Sequence, residues 1–493
     1  MIDLLVIGGG INGAGIARDA AGRGLSVLLC EKDDLAAHTS SSSTKLIHGG
    51  LRYLEHLEFR LVAESLRERE VLLANAPHII WPLRFVLPLA PGLRPTWLLR
   101  AGLALYDRLG SSERLPRSGR VSLAQPPHRG VLQDRLTRGL EYSDCWVEDS
   151  RLVVLTALDA RERGAQILTR TECVALQRHN DRWIATLKSR GGSTRTVEAR
   201  ALVNAAGPWV DRVAREALGS GTPARLRLVK GSHIVVPRKF AGEHAYIFQQ
   251  PDKRIVFAIP YERHFTLIGT TDLLYSGDLD RVEITPEESA YLREAAGRYF
   301  TSGITEEDIV ASYAGVRPLY EDNSKSNSTV TRDYMFELEA NGEAPILSVY
   351  GGKLTTYRKL AEHALERLGR HIAMAGPWTR EAPLPGGDMS VFAEFLWQAS
   401  ERYDWLPPET LARLARAYGT RIDAVLGSAQ RLPDLGEALG GDLYEAELRY
   451  LVEEEFARSA EDVLWRRSKL GLHLPGDAHR RVADWFAARR DLA

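Results

Sequence analysis

Residues 3–35 read "DLLVIGGGINGAGIARDAAGRGLSVLLCEKDDL", and their pattern sets the fold class. Leu4–Ile7 form an apolar run of strand length, followed by Gly8-Gly9-Gly10-Ile11-Asn12-Gly13. A small-residue helix is predicted next, with Ala14, Ala17, Ala20 and Ala21, closed by Gly22 and Gly24. Leu25–Leu29 read as a second strand that stops at Glu31. Such a strand–helix–strand unit is a dinucleotide-binding fingerprint, and each part has a physical task. Gly8 permits the tight turn, Gly10 lets backbone approach a pyrophosphate, and Gly13 lets helix and strand close up. Unpaired N–H groups at the helix N-terminus face the phosphates with a partial positive charge. Glu31 is set to accept from ribose hydroxyls, which argues against the 2′-phosphate of NADP.

The rest of the chain bounds what this unit serves. At 493 residues, two or three domains are expected. Lys and Arg number 64 against 65 Asp and Glu, so no global charge draws the chain to nucleic acid. Any preference for anions is local. Cys30, Cys145 and Cys173 are far apart with no CxxC pair, which suggests neither a zinc site nor a disulfide framework and fits a reducing cytoplasm. "MIDLLVIGGG" has no basic segment before its apolar run, so no signal peptide is expected. No stretch reaches the roughly 18 apolar residues of a spanning helix.

Two later segments favour a flavin over a nicotinamide cofactor. "ARALVNAAGPWVDRVA" (199–214) is a strand leading into a Gly207-Pro208 turn and a helix. A strand that returns to the cofactor edge so late fits a flavin fold with a substrate region inserted. "PILSVYGGKLTTYRKLAEHALERLG" (345–369) is a strand, a Gly351-Gly352 turn and a helix with apolar residues at helical spacing. The helix N-terminus and Lys353, Thr355 and Thr356 would stabilise negative charge on a reduced flavin. No second glycine fingerprint opens another such unit.

"GGGINGAGIARDAAGRGLSV", "SSSSTKLIHGGLRYLE", "EYSDCWVED", "KGSHIVVP", "YAGVRPL", "TRDY" and "GGKLTTYRKLAEHAL" together resemble the FAD-dependent glycerol-3-phosphate dehydrogenases of the aerobic, membrane-associated type. The resemblance runs nearly the whole length. It implies FAD as cofactor and oxidation of sn-glycerol 3-phosphate to dihydroxyacetone phosphate, with electrons passing to a membrane quinone. It also implies a homodimer on the cytoplasmic face of the inner membrane.

Such chemistry needs a hydride acceptor, a base for the hydroxyl proton and a clamp for the substrate's anionic end. The loop "SSSSTKLIHGGLRY" (40–53) offers material for all three. Hydroxyls of Ser41, Ser42, Ser43 and Thr44, with backbone N–H groups, suit pyrophosphate and flavin edges. Gly49 and Gly50 let backbone pass close to a ring. Arg52 is suited to fork onto phosphate oxygens, and Tyr53 to add a hydroxyl. The resemblance adds Arg317 and Arg332 as phosphate ligands, and Asn12, Lys45, His48 and Leu354 as cofactor contacts. His233 in "VKGSHIVVP" is the candidate base, with His48 as a second and Lys353 as a cation for developing negative charge. Asp272, in "GTTDLL", reads as a turn or cap residue.

The expected architecture is α/β: a Rossmann-like FAD-binding fold (about 1–75, 145–225, 330–375) interleaved with a β-rich substrate region (about 76–144, 226–329). A Pro/Gly-rich linker (376–388) leads to a helical C-terminal domain (389–493). There Pro407-Pro408 are expected to open one helix that Gly419 closes, and Ser459 to cap another. Residues 78–110 mix Trp81, Phe85, Trp97 and Leu98 with Arg84, Arg94, Arg100 and Arg108, a composition suited to an anionic membrane surface. Rival readings are a related enzyme acting on an amino or hydroxy acid, dioxygen as the acceptor, or a flavin-binding sensor without turnover.

Overall fold

The computed structural model describes residues 1–90, 92–110, 114–219, 221, 225–321 and 333–489, apart from the side chains of Arg52 and His56. Arg332 and the Arg52 side chain, both expected on substrate phosphate, therefore lie outside the described residues.

The fingerprint folds as its pattern requires. The strand Ile2–Ile7 is followed by the helix Ile11–Gly22 and the strand Val27–Cys30. Ile2–Ile7 lies mid-sheet, parallel to both Val27–Cys30 and the returning strand Thr194–Asn204, with Ile7 opposite Asn204 on one side and Cys30 on the other. Ile346–Tyr350 continues the parallel run, Met335–Glu339 closes one edge antiparallel, and Gln166–Leu168 closes the other. Strands covered on both faces bury nearly all their side chains, and Leu4, Leu5, Val6, Leu202 and Val203 are fully buried. The order reverses beside Ile2–Ile7, which opens a crevice at the carboxyl ends of these strands.

A second sheet of ten strands carries the inserted segments. Its long members are Ile80–Pro88, Arg138–Val147, Leu226–Pro237 and Ala311–Tyr320. Leu46–Ile47 pairs with Trp146 and Cys145 in this sheet. The serine loop, expected wholly within the FAD-binding segment, thus spans from one sheet to the other.

The region 78–110 divides in two. Ile80–Pro88 is an interior strand with Phe85 buried, and Arg84 pairs with Glu141, so neither offers itself to a lipid surface. The helix Thr96–Gly110 lies outside it and leaves Trp97 71% and Leu98 44% exposed.

Beyond residue 388 the chain forms helices over Phe392–Arg402, Pro408–Tyr418, Glu445–Glu453 and Gly476–Ala487 around their own apolar core. The segment expected as an α-helix after Ser459 is instead a π-helix, Asp462–Arg467, with Ser459 Oγ accepting from Asp462 N at 3.3 Å. Its arginines explain the wider turn: Arg466 and Arg467 both reach Asp34, and Arg466 also pairs with Asp462. Arg151 pairs with buried Glu455. The expected linker is laid against the body, with Trp378 Nε1 donating to Asp19 O at 3.1 Å and Leu384 N to Asn75 O at 2.9 Å.

Candidate functional site

Two adjoining cavities follow the crevice. The smaller, about 100 Å³, lies against Glu31 and is walled by Gly8, Gly10, Thr39, Ser40, Ala206, Gly207 and Trp209 among others. The larger, about 400 Å³, begins at Gly10, Asn12 and Ser40 and runs between the two sheets. Gly10, Thr39, Ser40, Ala205, Gly207 and Pro208 wall both, so the two form one elongated groove.

At the small end the residues bond to one another. Glu31 accepts from Gly9 N at 2.7 Å and Asp33 N at 2.8 Å. Burial pushes its carboxyl up from the usual range, against the pull of those two N–H groups. Asp33 is held well below the usual carboxylate range by His38, at 2.8 Å, and Lys32, also at 2.8 Å. Helix and strand approach so closely at Gly13 that a Cβ there would lie 1.9 Å from Gly8 O. Ser40, absent from the expected set, caps the first helix by accepting from Ile11 N at 3.0 Å.

The large end gathers side chains from both sheets. His233 comes from Leu226–Pro237, is 1% exposed and lies 3.0 Å through Nε2 from Thr44 Oγ1. Its ring stacks on Tyr313, with centroids 4.8 Å apart, and lies over Gly269, where a Cβ would fall 2.0 Å from the ring. Burial foremost, then the nearby cations Arg317 and Lys45, lowers its pKa well below the histidine range, so the imidazole is neutral at pH 7. Arg317 comes from Ala311–Tyr320 and reaches Asp272 Oδ1 and Thr270 Oγ1, each at 3.4 Å. A Cβ at Gly231 would meet the guanidinium at 2.6 Å, so only glycine leaves room for it there. Asp272, expected as a turn or cap residue, is thus the partner of the candidate phosphate clamp. Lys353 precedes the short turn Leu354–Thr356 and holds its ammonium 4.1 Å from the centre of the Tyr53 ring.

Most expected cofactor residues meet here, together with Tyr53, expected at the substrate. Gly10, Asn12, Ser42, Ser43, Thr44, His48, Tyr53, Gly207, Gly351, Gly352, Lys353, Leu354 and Thr355 all wall the large cavity. Gly8 and Glu31 wall the small one, and Gly13 stands behind it. Three expected contacts point elsewhere. Ser41 Oγ donates to His38 O at 3.2 Å. Gly49 is buried behind the wall, its N–H donating to Tyr106 Oη at 2.8 Å, while Gly50 faces the cavity. Lys45 is 1% exposed and paired with Asp149 at 2.7 Å, because a buried ammonium needs a counter-ion and Asp149 supplies it. Asp149 and Tyr313 were not among the expected site residues, although "EYSDCWVED" contains the first and "YAGVRPL" starts with the second.

The residues present fit a flavin dinucleotide. Asn12 Oδ1, His233 Nδ1 and Lys353 Nζ are buried without a hydrogen-bond partner among the described residues. All three belong to residues walling the large cavity, where a ring and substrate would supply partners. The groove also joins an acid suited to ribose, a glycine turn at a helix N-terminus and a wide chamber, the order of parts in FAD.

Comparison with known proteins agrees. Residues 3–358 match the FAD dependent oxidoreductase family, and residues 377–490 match the C-terminal domain of alpha-glycerophosphate oxidase. The glycerol-3-phosphate dehydrogenase of Pseudomonas aeruginosa is 56% identical over 98% of this chain and 94% of its own. D-erythritol 1-phosphate dehydrogenase of Brucella abortus is 52% identical over 98% and 97%. The aerobic glycerol-3-phosphate dehydrogenase of Escherichia coli K12 is 50% identical over 98% and 97%. Among solved structures, the glycerol-3-phosphate dehydrogenase of Bacillus halodurans complexed with FAD superposes with a TM-score of 0.78 at 28% identity, covering 100% of this chain and 95% of that one. From its groove and from these likenesses, the chain belongs to the glycerol-3-phosphate dehydrogenase family of FAD-dependent oxidoreductases.

Proposed function

We propose that the protein oxidises the secondary alcohol of sn-glycerol 3-phosphate to the ketone of dihydroxyacetone phosphate and passes the electrons to a membrane quinone. The observation that carries the reading is the convergence of neutral His233, Arg317 and Lys353 on one chamber at the end of a dinucleotide groove. Bound FAD supplies the hydride acceptor. His233, uncharged, takes the hydroxyl proton as the carbon gives up its hydride, and Thr44 and Tyr313 fix the ring for that transfer. Arg317 clamps the substrate phosphate, with Asp272 and Thr270 holding the guanidinium in place. Arg52 and Arg332 are proposed to join that clamp. Lys353 offsets negative charge that develops beside it.

The quinone reading is supported by the apolar flank of the chamber, formed by Leu87, Leu99, Ile247, Ile255 and Phe257. Leu99 lies on the helix whose outer residues are Trp97 and Leu98, and Leu57 and Phe59 are exposed on a segment packed beside it. Peripheral attachment through this helix to the cytoplasmic face of the membrane is proposed with it. No described helix is long and apolar enough to cross a membrane. Liposome cosedimentation should fall on Trp97→Asp with Arg100→Glu, and unchanged cosedimentation would remove this surface. A homodimer is the proposed assembly, to be checked by sedimentation.

A second reading has one specific support, the 52% identity to D-erythritol 1-phosphate dehydrogenase. Anaerobic bleaching of the flavin band separates the two. Faster bleaching by glycerol 3-phosphate than by erythritol phosphate, with none by lactate or glycine, is expected. The reverse order would reassign the substrate, and no bleaching by any of them would reject dehydrogenase activity.

A further inference from the structure

We propose that Asp149 is a positioning residue for His233, and that Lys469 of the C-terminal domain completes its setting. This rests on the function proposed above only in taking His233 as the base. Asp149 is the first residue of the helix Asp149–Glu162 and is fully buried. One carboxylate oxygen accepts from Lys45 Nζ at 2.7 Å and from Ser150 N at 2.8 Å. The other accepts from Ser43 Oγ at 2.8 Å and Ser43 N at 3.3 Å. Ser43 Oγ in turn accepts from Lys45 N at 2.8 Å. Asp149 therefore grips the chain on both sides of Thr44, the residue 3.0 Å from the His233 ring.

The grip holds a conformation that the chain would not keep unaided. Lys45 has φ +60, a left-handed backbone that costs a residue with a β-carbon roughly 1 kcal/mol or more. Its side chain is tied at the far end by Asp149 and by Ser41 O at 3.1 Å. Tyr313 pins the same tripeptide from the opposite side, its hydroxyl donating to Ser43 O at 2.8 Å while its ring stacks on His233. Thr44 and the imidazole are thus located by one assembly, and among the described residues Asp149 is the carboxylate that accepts from both Ser43 and Lys45.

The C-terminal domain reaches that assembly. Lys469 Nζ donates to Ser150 Oγ at 3.2 Å and to Trp465 O. Ser150 is the neighbour whose N–H bonds Asp149, and the next residue, Arg151, pairs with Glu455. Lys45 and Lys469 therefore both lie near the start of the Asp149 helix, with Glu148, Glu262, the His473 paired to Glu262, His233, Tyr261 and Tyr313 among the charged or titratable groups around them. Lys469, two residues beyond the Arg467 that pairs with Asp34, thus ties the C-terminal domain by a hydrogen bond to the first turn of the helix that carries Asp149. The family comparison assigns residues 377–490 to a separate domain, and this contact gives that domain a task in the site.

The test uses the FAD-loaded full chain, with Asp149→Asn, Lys469→Met, Lys469→Arg and, as a docking control, Arg161→Ala. Arg161 pairs with Glu454 at the surface between the domains, away from the clamp. The limiting rate of flavin reduction should fall by about tenfold or more in Asp149→Asn, because small misplacements of a reacting group are costly. It should fall less in Lys469→Met, return in Lys469→Arg and stay unchanged in Arg161→Ala. FAD content and half-saturating substrate should hold throughout. A substrate-free readout is the side-chain NMR signal of His233, assigned by its loss in His233→Gln. That signal should move in Asp149→Asn and Lys469→Met and return in Lys469→Arg. An unmoved signal with full rate in either variant would overturn the proposal. So would loss of FAD and melting temperature in Lys469→Met without rescue by arginine, which marks a merely structural contact. If Asp149→Asn does not fold, the Lys469 pair decides. If glycerol 3-phosphate bleaches nothing, the function reading fails and the His233 signal still decides this one.

Discussion

At the Glu31 end of the groove the protein bonds to itself, with Glu31 taking the N–H groups of Gly9 and Asp33 while Lys32 and His38 flank Asp33. The larger chamber is different: Asn12 Oδ1, His233 Nδ1 and Lys353 Nζ, all on residues of its wall, are buried with no hydrogen-bond partner among the described residues. Burying a polar atom unpaired costs about 1–3 kcal/mol, so such atoms collect where another molecule completes them. One end is scaffold, already satisfied, which reads the shape of a nucleotide. The other end is held ready, its unmet groups aimed at charge and protons that move during reaction.

The largest test of that contrast is His233→Gln. If the ring end is chemical machinery, the limiting rate of flavin reduction should drop by about 10²–10⁴-fold with FAD still bound. Stopped-flow bleaching beside the flavin absorbance ratio measures both, and loss of FAD with rate preserved in the bound fraction would reverse the assignment. Arg317→Met comes next. Loss of charge-assisted bonds to phosphate, each about 1.5–3 kcal/mol, should raise half-saturating glycerol 3-phosphate by about ten- to a hundredfold. Its limiting rate should change far less, as Asp272 and Thr270 hold Arg317 apart from the imidazole's own supports. An unchanged half-saturation would remove Arg317 from the clamp.

The two ends also differ in how far sequence displays them. The Glu31 end is built within one local unit, so glycine spacing, strand periodicity and the terminal acid reveal it without tertiary information. At the other end Thr44 meets His233 across 189 positions and Lys45 meets Asp149 across 104, which no local period records. Residue types there still told something: a histidine and arginines in apolar strands stood out, and His233 and Arg317 do share the chamber wall. What type alone conceals is direction. Lys45, expected as a cofactor contact, is instead the buried counter-ion of Asp149, an acid at a helix start that the expected set did not include. The π-helix Asp462–Arg467 was hidden for a similar reason, as its extra width follows from arginines reaching Asp34, a residue more than 400 positions away.

Glu31→Ala probes the satisfied end and should act on affinity alone. It removes a ribose acceptor and the anchor of Gly9 N and Asp33 N together, so FAD binding should weaken by about tenfold. The bound fraction should be reduced at an unaltered rate, because the chamber wall is untouched. Equilibrium dialysis of FAD with bleaching of the retained fraction separates the two quantities. A slowed chemical step at full FAD occupancy would mean that the ends are mechanically coupled.

The smallest effect is in pH, and its sign differs between the ends. His233 has its pKa lowered by burial and then by Arg317 and Lys45. The unfolded chain's histidine takes a proton near the ordinary value of about 6.5 while the folded one resists it. Stability from this group is therefore fully present above about 6.5 and declines as pH falls below it, towards the depressed folded value. Asp33 is lowered too, first by His38, so its contribution is present above the ordinary carboxylate value of 3.8 and is lost only as pH falls beneath it. Glu31, raised by burial, shifts the other way and is favoured by acid. Between pH 6.5 and 4.5 the ring end should thus loosen while the Glu31 end holds. Hydrogen exchange, corrected for intrinsic rates, should rise in peptides from Leu226–Pro237 before those from Val27–Leu35, and His233→Gln should abolish that order. Equal loosening of both ends, or an order unchanged in His233→Gln, would place the acid-sensitive group outside the chamber. The same neutrality predicts a reduction rate that stays level as pH falls from 8 through 6.5, where an exposed histidine would already have lost half its basic form.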